Sequence, residues 1–272
     1  MTIKVGIFVD SENVRRNGGY HLRYDVLRRF AERGDRTLIR LNTYIALDRE
    51  LAEKDPEYAR KSYTHQQIAR QFGWKVNIRD IHRITSDEGK TTIENSSNLS
   101  IAVDALLQAE HLDEILLVTG DSDFLPLVNA IQNRGRRVEL LGFDHVSTQL
   151  QRQVDAFHSG FLTPNLIPIA YEPKNAWGRT GSCVRGVCTK WFTEKGYGFL
   201  SFLDRIDNNS WITNTRAKDS PWTSAFCHIN EISSDVNEDD LIHGDTVLEF
   251  YIQESPQDAD GLVAQNVRLV QA

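Results

Sequence analysis

Over the first 160 or so residues, short apolar runs alternate with longer stretches of helical periodicity. The runs at 3–9, 37–44, 75–79, 114–119 and 137–142 predict buried strands. The segments 24–33, 57–72, 99–109, 124–134 and 147–156 repeat apolar positions every three to four residues and predict helices. Strands alternating with crossover helices predict a parallel sheet flanked by helices, the α/β class. From 163 to 182 the periodicity breaks at Pro164, Pro168, Pro173, Gly178 and Gly181, which predicts a linker. Beyond it the pattern is strands only, at 186–192, 197–203, 225–229, 246–253 and 262–270, the count of an all-β five-stranded OB-type barrel. The expected organisation is therefore an α/β domain over 1–162, a linker over 163–182 and a barrel over 183–272.

Composition changes this picture little. Of 272 residues, 40% are hydrophobic and 25% charged, as in ordinary globular domains. No run reaches the ~20 apolar residues that cross a bilayer. The apolar start lacks a basic leader and a cleavage site and reads as a strand, so the expected location is the cytoplasm, with no membrane partner. Cys183, Cys188 and Cys227 form no CxxC pair and read as buried reduced thiols.

Charge is more informative. The net value of −7 argues against binding nucleic acid by bulk attraction, so any such contact must be local. Residues 1–162 are nearly balanced, with 22 basic and 23 acidic side chains. The acidic excess falls in the C-terminal part, much of it at Asp235, Glu238, Asp239, Asp240 and Asp245, which reads as a solvated loop.

Open α/β sheets bind ligands at the carboxyl ends of their strands, and here those ends are acidic. The first strand runs into Asp10-Ser11-Glu12-Asn13, the fourth into Thr119-Gly120-Asp121-Ser122-Asp123, and Asp104 lies in the helix that follows Asn98. Converging carboxylates repel one another unless a cation neutralises them, and hard oxygen donors select Mg²⁺ or Mn²⁺. Such a cation suits phosphodiester hydrolysis. Taken singly, each acid could equally be a helix cap, and Ser122 or Asp123 could simply start the helix at Phe124. A Rossmann site would need a glycine-rich first turn, which 10–13 lacks. A phosphatase or nucleotidase remains a third reading, although an aspartyl-phosphate type should have Asp-x-Asp where Glu12 stands.

At Ile7-Phe8-Val9-Asp10-Ser11-Glu12-Asn13, Ala102-Val103-Asp104-Ala105-Leu106 and Leu117-Val118-Thr119-Gly120-Asp121-Ser122-Asp123-Phe124, the chain resembles the LabA-like branch of the NYN family of PIN-like ribonucleases. Ser147, Leu150, Asp155 and Phe157 resemble that branch's final helix. The resemblance implies Mg²⁺- or Mn²⁺-dependent RNA cleavage, with Asp10, Asp104, Asp121 and Asp123 holding the metal and Asn13 orienting water or a phosphate oxygen. Where the family carries Gly-Val-Asp, this chain reads Ser97-Asn98-Leu99, so Asn98, a substituted ligand, brings a carbonyl oxygen without charge.

In the barrel, the run from Lys190 to Phe202 includes Trp191, Lys195, Tyr197 and Phe199, and alternation puts Tyr197 and Phe199 on one strand face. Exposed aromatics beside a few cations are what base stacking on single strands requires. Gly196 and Gly198 are expected to leave these rings open to bases, and Phe192 and Phe202 to lie in the core. With Ala225-Phe226-Cys227-His228-Ile229 and the ending 262–267, this half is similar to a cold-shock domain. That similarity implies binding of single-stranded RNA or DNA by Trp191, Tyr197, Phe199, Phe226 and His228, with Lys190 and Lys195 near phosphates. A long insertion at 204–224 departs from the pattern; its Trp211 and Trp222 could extend the binding surface or pack over the barrel.

The expectation is thus a metal-dependent ribonuclease whose barrel captures single-stranded RNA. Its alternative is an RNA-binding adaptor that keeps the nuclease fold without turnover. Homo-oligomerisation is left open by the sequence.

Overall fold

The computed structural model describes residues 2–85, 91–94, 97–169, 176–256 and 261–270. They divide into two compact units, Met1–Tyr20 with Tyr24–Ser159, and His21–Arg23 with Gly160–Ala272.

The first unit contains strands β1 (Ile3–Asp10), β2 (Arg36–Leu47), β3 (Lys75–Asp80), a hairpin of β4 (His82–Thr85) and β5 (Thr91–Glu94), β6 (Glu114–Val118), β7 (Arg137–Gly142) and β8 (Ala156–Ser159). Its helices are α1 (Ser11–Arg16), α2 (Tyr24–Ala31), α3 (Arg49–Lys54), α4 (Pro56–Gln71), α5 (Ser97–Gln108), α6 (Leu125–Gln132) and α7 (Thr148–Gln153). Six strands form one parallel sheet in the order β3-β2-β1-β6-β7-β8. The central runs, residues 5–10 of β1 and all of β6, are buried, as strands covered on both faces must be. Helices α5 and α6 share a core with the sheet through Ile101, Ala105, Val128 and Ile131, beside Phe8, Leu117 and Leu140.

The chain runs outward from β1 through β2 and β3, then returns to β6 on the other side of β1. The strand order therefore reverses between β1 and β6, and their carboxyl ends border the crevice such a reversal opens.

The expected helix at 147–156 is shorter. Ser147 caps α7 by accepting from the Leu150 amide, and the chain then turns into β8. Asp155 makes that turn: its amide donates to the Val138 carbonyl and its carboxylate accepts from the Val138 amide at 2.7 Å, so one residue satisfies an end of β7.

The second unit contains β9 (Cys183–Phe192), β10 (Tyr197–Leu203), β11 (Trp222–His228), α8 (Glu238–Ile242), β12 (Val247–Glu254) and β13 (Leu262–Leu269). The strands close into a barrel in the order β10-β11-β13-β12-β9, with β11 and β13 parallel and the other neighbours antiparallel, consistent with an OB-fold. Leu200, Phe202, Leu248, Phe250 and Ile252 fill it. Of the acidic run expected as a loop, Glu238, Asp239 and Asp240 instead form the first turn of α8. Asp240 reaches back to the Asn237 amide at 2.8 Å and completes a capping box, while negative charge in the first turn suits the helix dipole.

Within this unit Arg185 donates to the carbonyls of Ile167 and Pro168, and the Arg23 amide to that of Leu166. Part of the segment expected as a linker is therefore bonded to the barrel; its residues 170–175, Pro173 among them, lie outside the described residues. The three cysteines are buried and none is in a disulfide. No helix among the described residues is long and apolar enough to cross a membrane.

Gly198 is buried where β10 passes β9. A Cβ there would lie 2.4 Å from both the Lys190 carbonyl oxygen and the Trp191 ring. Its small size serves close strand approach rather than access to bases. We expect Gly198→Ala to lower stability by about 1–3 kcal/mol in urea denaturation, because backbone on the facing strand cannot yield cheaply. An unchanged midpoint would contradict this.

Candidate functional site

The acidic ends of β1 and β6 meet at the strand-order reversal. Asp10 closes β1 and caps α1, its Oδ1 accepting from the Asn13 amide at 3.2 Å. Only 4% exposed, its carboxyl is pushed up to about 6, first by burial and then by the charges of Asp121 and Glu12, against backbone hydrogen bonds that pull the other way.

Asp121 follows β6 and caps the short turn Ser122–Phe124 through the Asp123 amide at 3.0 Å. Its other oxygen accepts from Asn98 Nδ2 at 2.9 Å. Asn13 ties the two strand ends together, since its Oδ1 accepts from the Gly120 amide at 2.8 Å. Glu12 is not a free donor: Arg15 and Arg16 grip it at 2.8 and 2.7 Å, and despite its burial these bonds and charges hold its carboxyl below the ordinary value.

The other two expected metal ligands are placed differently. Asp104, on α5, accepts from the Tyr44 hydroxyl at 2.6 Å. Tyr44 stands beside Asp10 in the β1–β2 register, so Asp104 is bonded to the neighbouring strand. Asp123 and Ser122 are exposed. Among the described residues, no three His, Cys, Asp or Glu side chains group so as to hold a metal ion. The structure thus brings Asp10, Asp121, Asn98 and Asn13 together and leaves Asp104 and Asp123 outside a common cluster. The two carboxylates that act on each other here are Asp10 and Asp121.

That pair still fits a hard cation. Mg²⁺ retains several waters and is commonly held by one or two carboxylates together with substrate phosphate oxygens. Two mutually repelling carboxylates, one of them buried, are a donor set that such an ion would relieve.

Sequence reasoning missed Tyr44, whose place at the end of an apolar run marked it only as core. It also missed Arg79, on β3, which donates to Ser100 Oγ at 2.8 Å and so joins β3 to α5.

The second set of expected residues lies on the barrel. Tyr197, Phe199 and Phe226 gather with ring centroids 5.5–6.4 Å apart. Phe192 joins them, 5.1 Å from Tyr197, with Lys190 Nζ 4.6 Å from its ring centroid and Lys195 Nζ 5.8 Å away. His228 is exposed opposite Tyr197.

Trp191 and Phe192 exchange their expected places. Trp191 packs against the barrel core over Gly198, and Phe192 lies with the outer rings. The cause is a β-bulge. Leu200 pairs with Cys188 but Phe199 with Lys190, so Thr189 is an extra residue and alternation along β9 inverts beyond it. Both Trp191 and Phe192 remain half-buried.

The class is given by the family model that matches the sheet-bearing part of the chain, a PIN-like nuclease family. The chain belongs to the NYN domain family, whose model matches residues 4–166. NYN domains are typically nucleases. Among solved structures it is similar to a protein of unknown function from Vibrio parahaemolyticus, at 25% identity and a TM-score of 0.46, covering 58% of this chain and 93% of that one. No curated protein matches the chain.

Proposed function

We propose that the protein is a divalent-metal-dependent ribonuclease, hydrolysing phosphodiester bonds of RNA that its barrel holds as a single strand. The observation that carries this reading is the buried Asp10 carboxyl, raised by desolvation and by the nearby charge of Asp121 at the reversal of strand order. When bound, Mg²⁺ or Mn²⁺ supplies water activation and charge stabilisation on the leaving oxygen.

Asp10 and Asp121 would hold the ion, with Asn98 Oδ1 as a neutral donor. Asn13 keeps both strand ends in register through Gly120 and offers its Nδ2 to a phosphate oxygen. Asp104, fixed by Tyr44, and the exposed Asp123 would act through water. On the barrel, Tyr197, Phe199, Phe226 and His228, with Phe192 added, would stack bases, and Lys190 and Lys195 would meet phosphates.

Full-length protein incubated with labelled single-stranded RNA should cleave it with Mn²⁺ or Mg²⁺, stop on addition of EDTA, and resume when metal is restored in excess. Cleavage that persists in chelator sinks the reading.

One observation favours a second reading, an adaptor that binds RNA without turnover. Asn98 stands where the family resemblance expects an aspartate, and its amide occupies an oxygen of Asp121. Tight RNA binding with no cleavage in any metal would establish that reading.

A further inference from the structure

We infer a second base-stacking position on the barrel at Trp211, outside the ring cluster of β10 and β11; the inference rests on the barrel being a single-strand binder.

Alternation along β11 places Trp222, Ser224, Phe226 and His228 on one face, because Ala225 and Cys227 between them are core. The face that carries Phe226 therefore continues to Trp222, four residues and about 13 Å away. Trp222 is half-buried, and its indole N–H donates to the Ser210 carbonyl at 2.7 Å, which seats the 204–221 loop against the end of that face.

Trp211 is the next residue and is 75% exposed. Its loop is not slack. Ser220 Oγ donates to the Ile212 carbonyl at 2.6 Å, the Ile212 amide to Asn209 O at 2.8 Å, and the Asp204 amide to Pro221 O at 2.9 Å. Both neighbours of Trp211 are thus pinned through their carbonyls while its ring is left in water.

An indole is mostly buried in folded proteins, and this one is presented on a fixed support, so little ordering remains to be done when a flat ligand arrives. Trp222 has the packing role and Trp211 the open one. The same loop carries exposed Arg216 and Lys218, cations suited to the phosphates of a strand leaving the platform. The occupant that fits is single-stranded RNA longer than the platform itself.

Binding of the full chain to fluorescein-labelled oligouridylates of about 4 and about 12 nucleotides, within the range OB folds span, tests this by anisotropy in EDTA. Trp211→Ala should weaken the long oligomer by roughly 5- to 100-fold and leave the short one unchanged. Trp211→Phe should recover most of the loss. Phe199→Ala should weaken both lengths.

If Phe199→Ala weakens both lengths and Trp211→Ala neither, the platform stands and the second position is overturned. An equal loss on both lengths from Trp211→Ala also overturns it as an extension. If wild type binds neither oligomer, or Phe199→Ala has no effect, the single-strand reading fails and the inference with it.

Discussion

Asp10→Asn should abolish RNA cleavage, by about a thousandfold or more, and at the same time make the metal-free protein more stable at neutral pH. A thousandfold corresponds to about 4 kcal/mol of lost transition-state stabilisation, within the several that a bound cation can supply. Asparagine keeps the cap on α1, because its side-chain oxygen can still accept from the Asn13 amide. The substitution therefore removes charge more than structure.

The sign of the stability effect follows from the shift. Asp10 titrates at about 6 in the folded protein against an ordinary 3.8, so folding disfavours its ionised form. The cost appears as pH rises above the ordinary value and is complete above about 6, where it amounts to about 3 kcal/mol. In chelator, Asp10→Asn should melt above wild type at pH 7.5 and converge with it near pH 4. Mn²⁺ should raise the wild-type melting temperature and not the variant's. Retained cleavage would end the nuclease reading, and identical melting at both pH values would show that the acidic pair is not under electrostatic strain.

Five strands of the first unit, β1, β2, β3, β6 and β7, were readable because a sheet covered on both faces needs apolar runs, and the acids that end β1 and β6 interrupt those runs abruptly. The barrel was readable from five evenly spaced strands. What stayed hidden has local causes. Strand β8 has four residues beside a helical pattern, too few for period two to outweigh period 3.6. Helix α8 hid in an acidic run because its stability comes from one reciprocal cap rather than an apolar stripe.

At the candidate site, proximity along strand ends was legible and side-chain commitment was not. The Tyr44 hydroxyl that holds Asp104 comes from another strand, and the bulge that sends Trp191 inward depends on how β9 pairs with β10. Both are tertiary facts with no signal in the local pattern.

The largest stability effect should come from the amino-end side of the sheet, away from the proposed chemistry, at Glu139. There Arg36 opens β2, Glu114 opens β6 and Arg137 opens β7, with Glu139 two residues further along. Glu139 is 2% exposed and paired with Arg33; Arg36 lies at 3.3 Å, Arg137 at 3.2 Å and His158 Nε2 at 3.0 Å. Burial alone would push its carboxyl up. Bonds and charges from His158 and Arg33 outweigh that and hold it well below the ordinary range.

Glu139→Gln preserves shape but leaves the buried Arg33 facing a neutral amide, and removing one partner from a buried ion pair costs about 3–5 kcal/mol. Because the folded state favours ionised Glu139, its contribution is fully present above the ordinary carboxylate value of 4.5 and is lost as pH falls toward the lowered one. The gap between wild type and Glu139→Gln should therefore be largest at pH 7 and shrink in acid. Hydrogen exchange in the β6 and β7 peptides reports on this unit separately from the barrel. Protection there that is unchanged in Glu139→Gln at pH 7 would mean that the network is dispensable and that the sheet's apolar runs alone hold its strands in place.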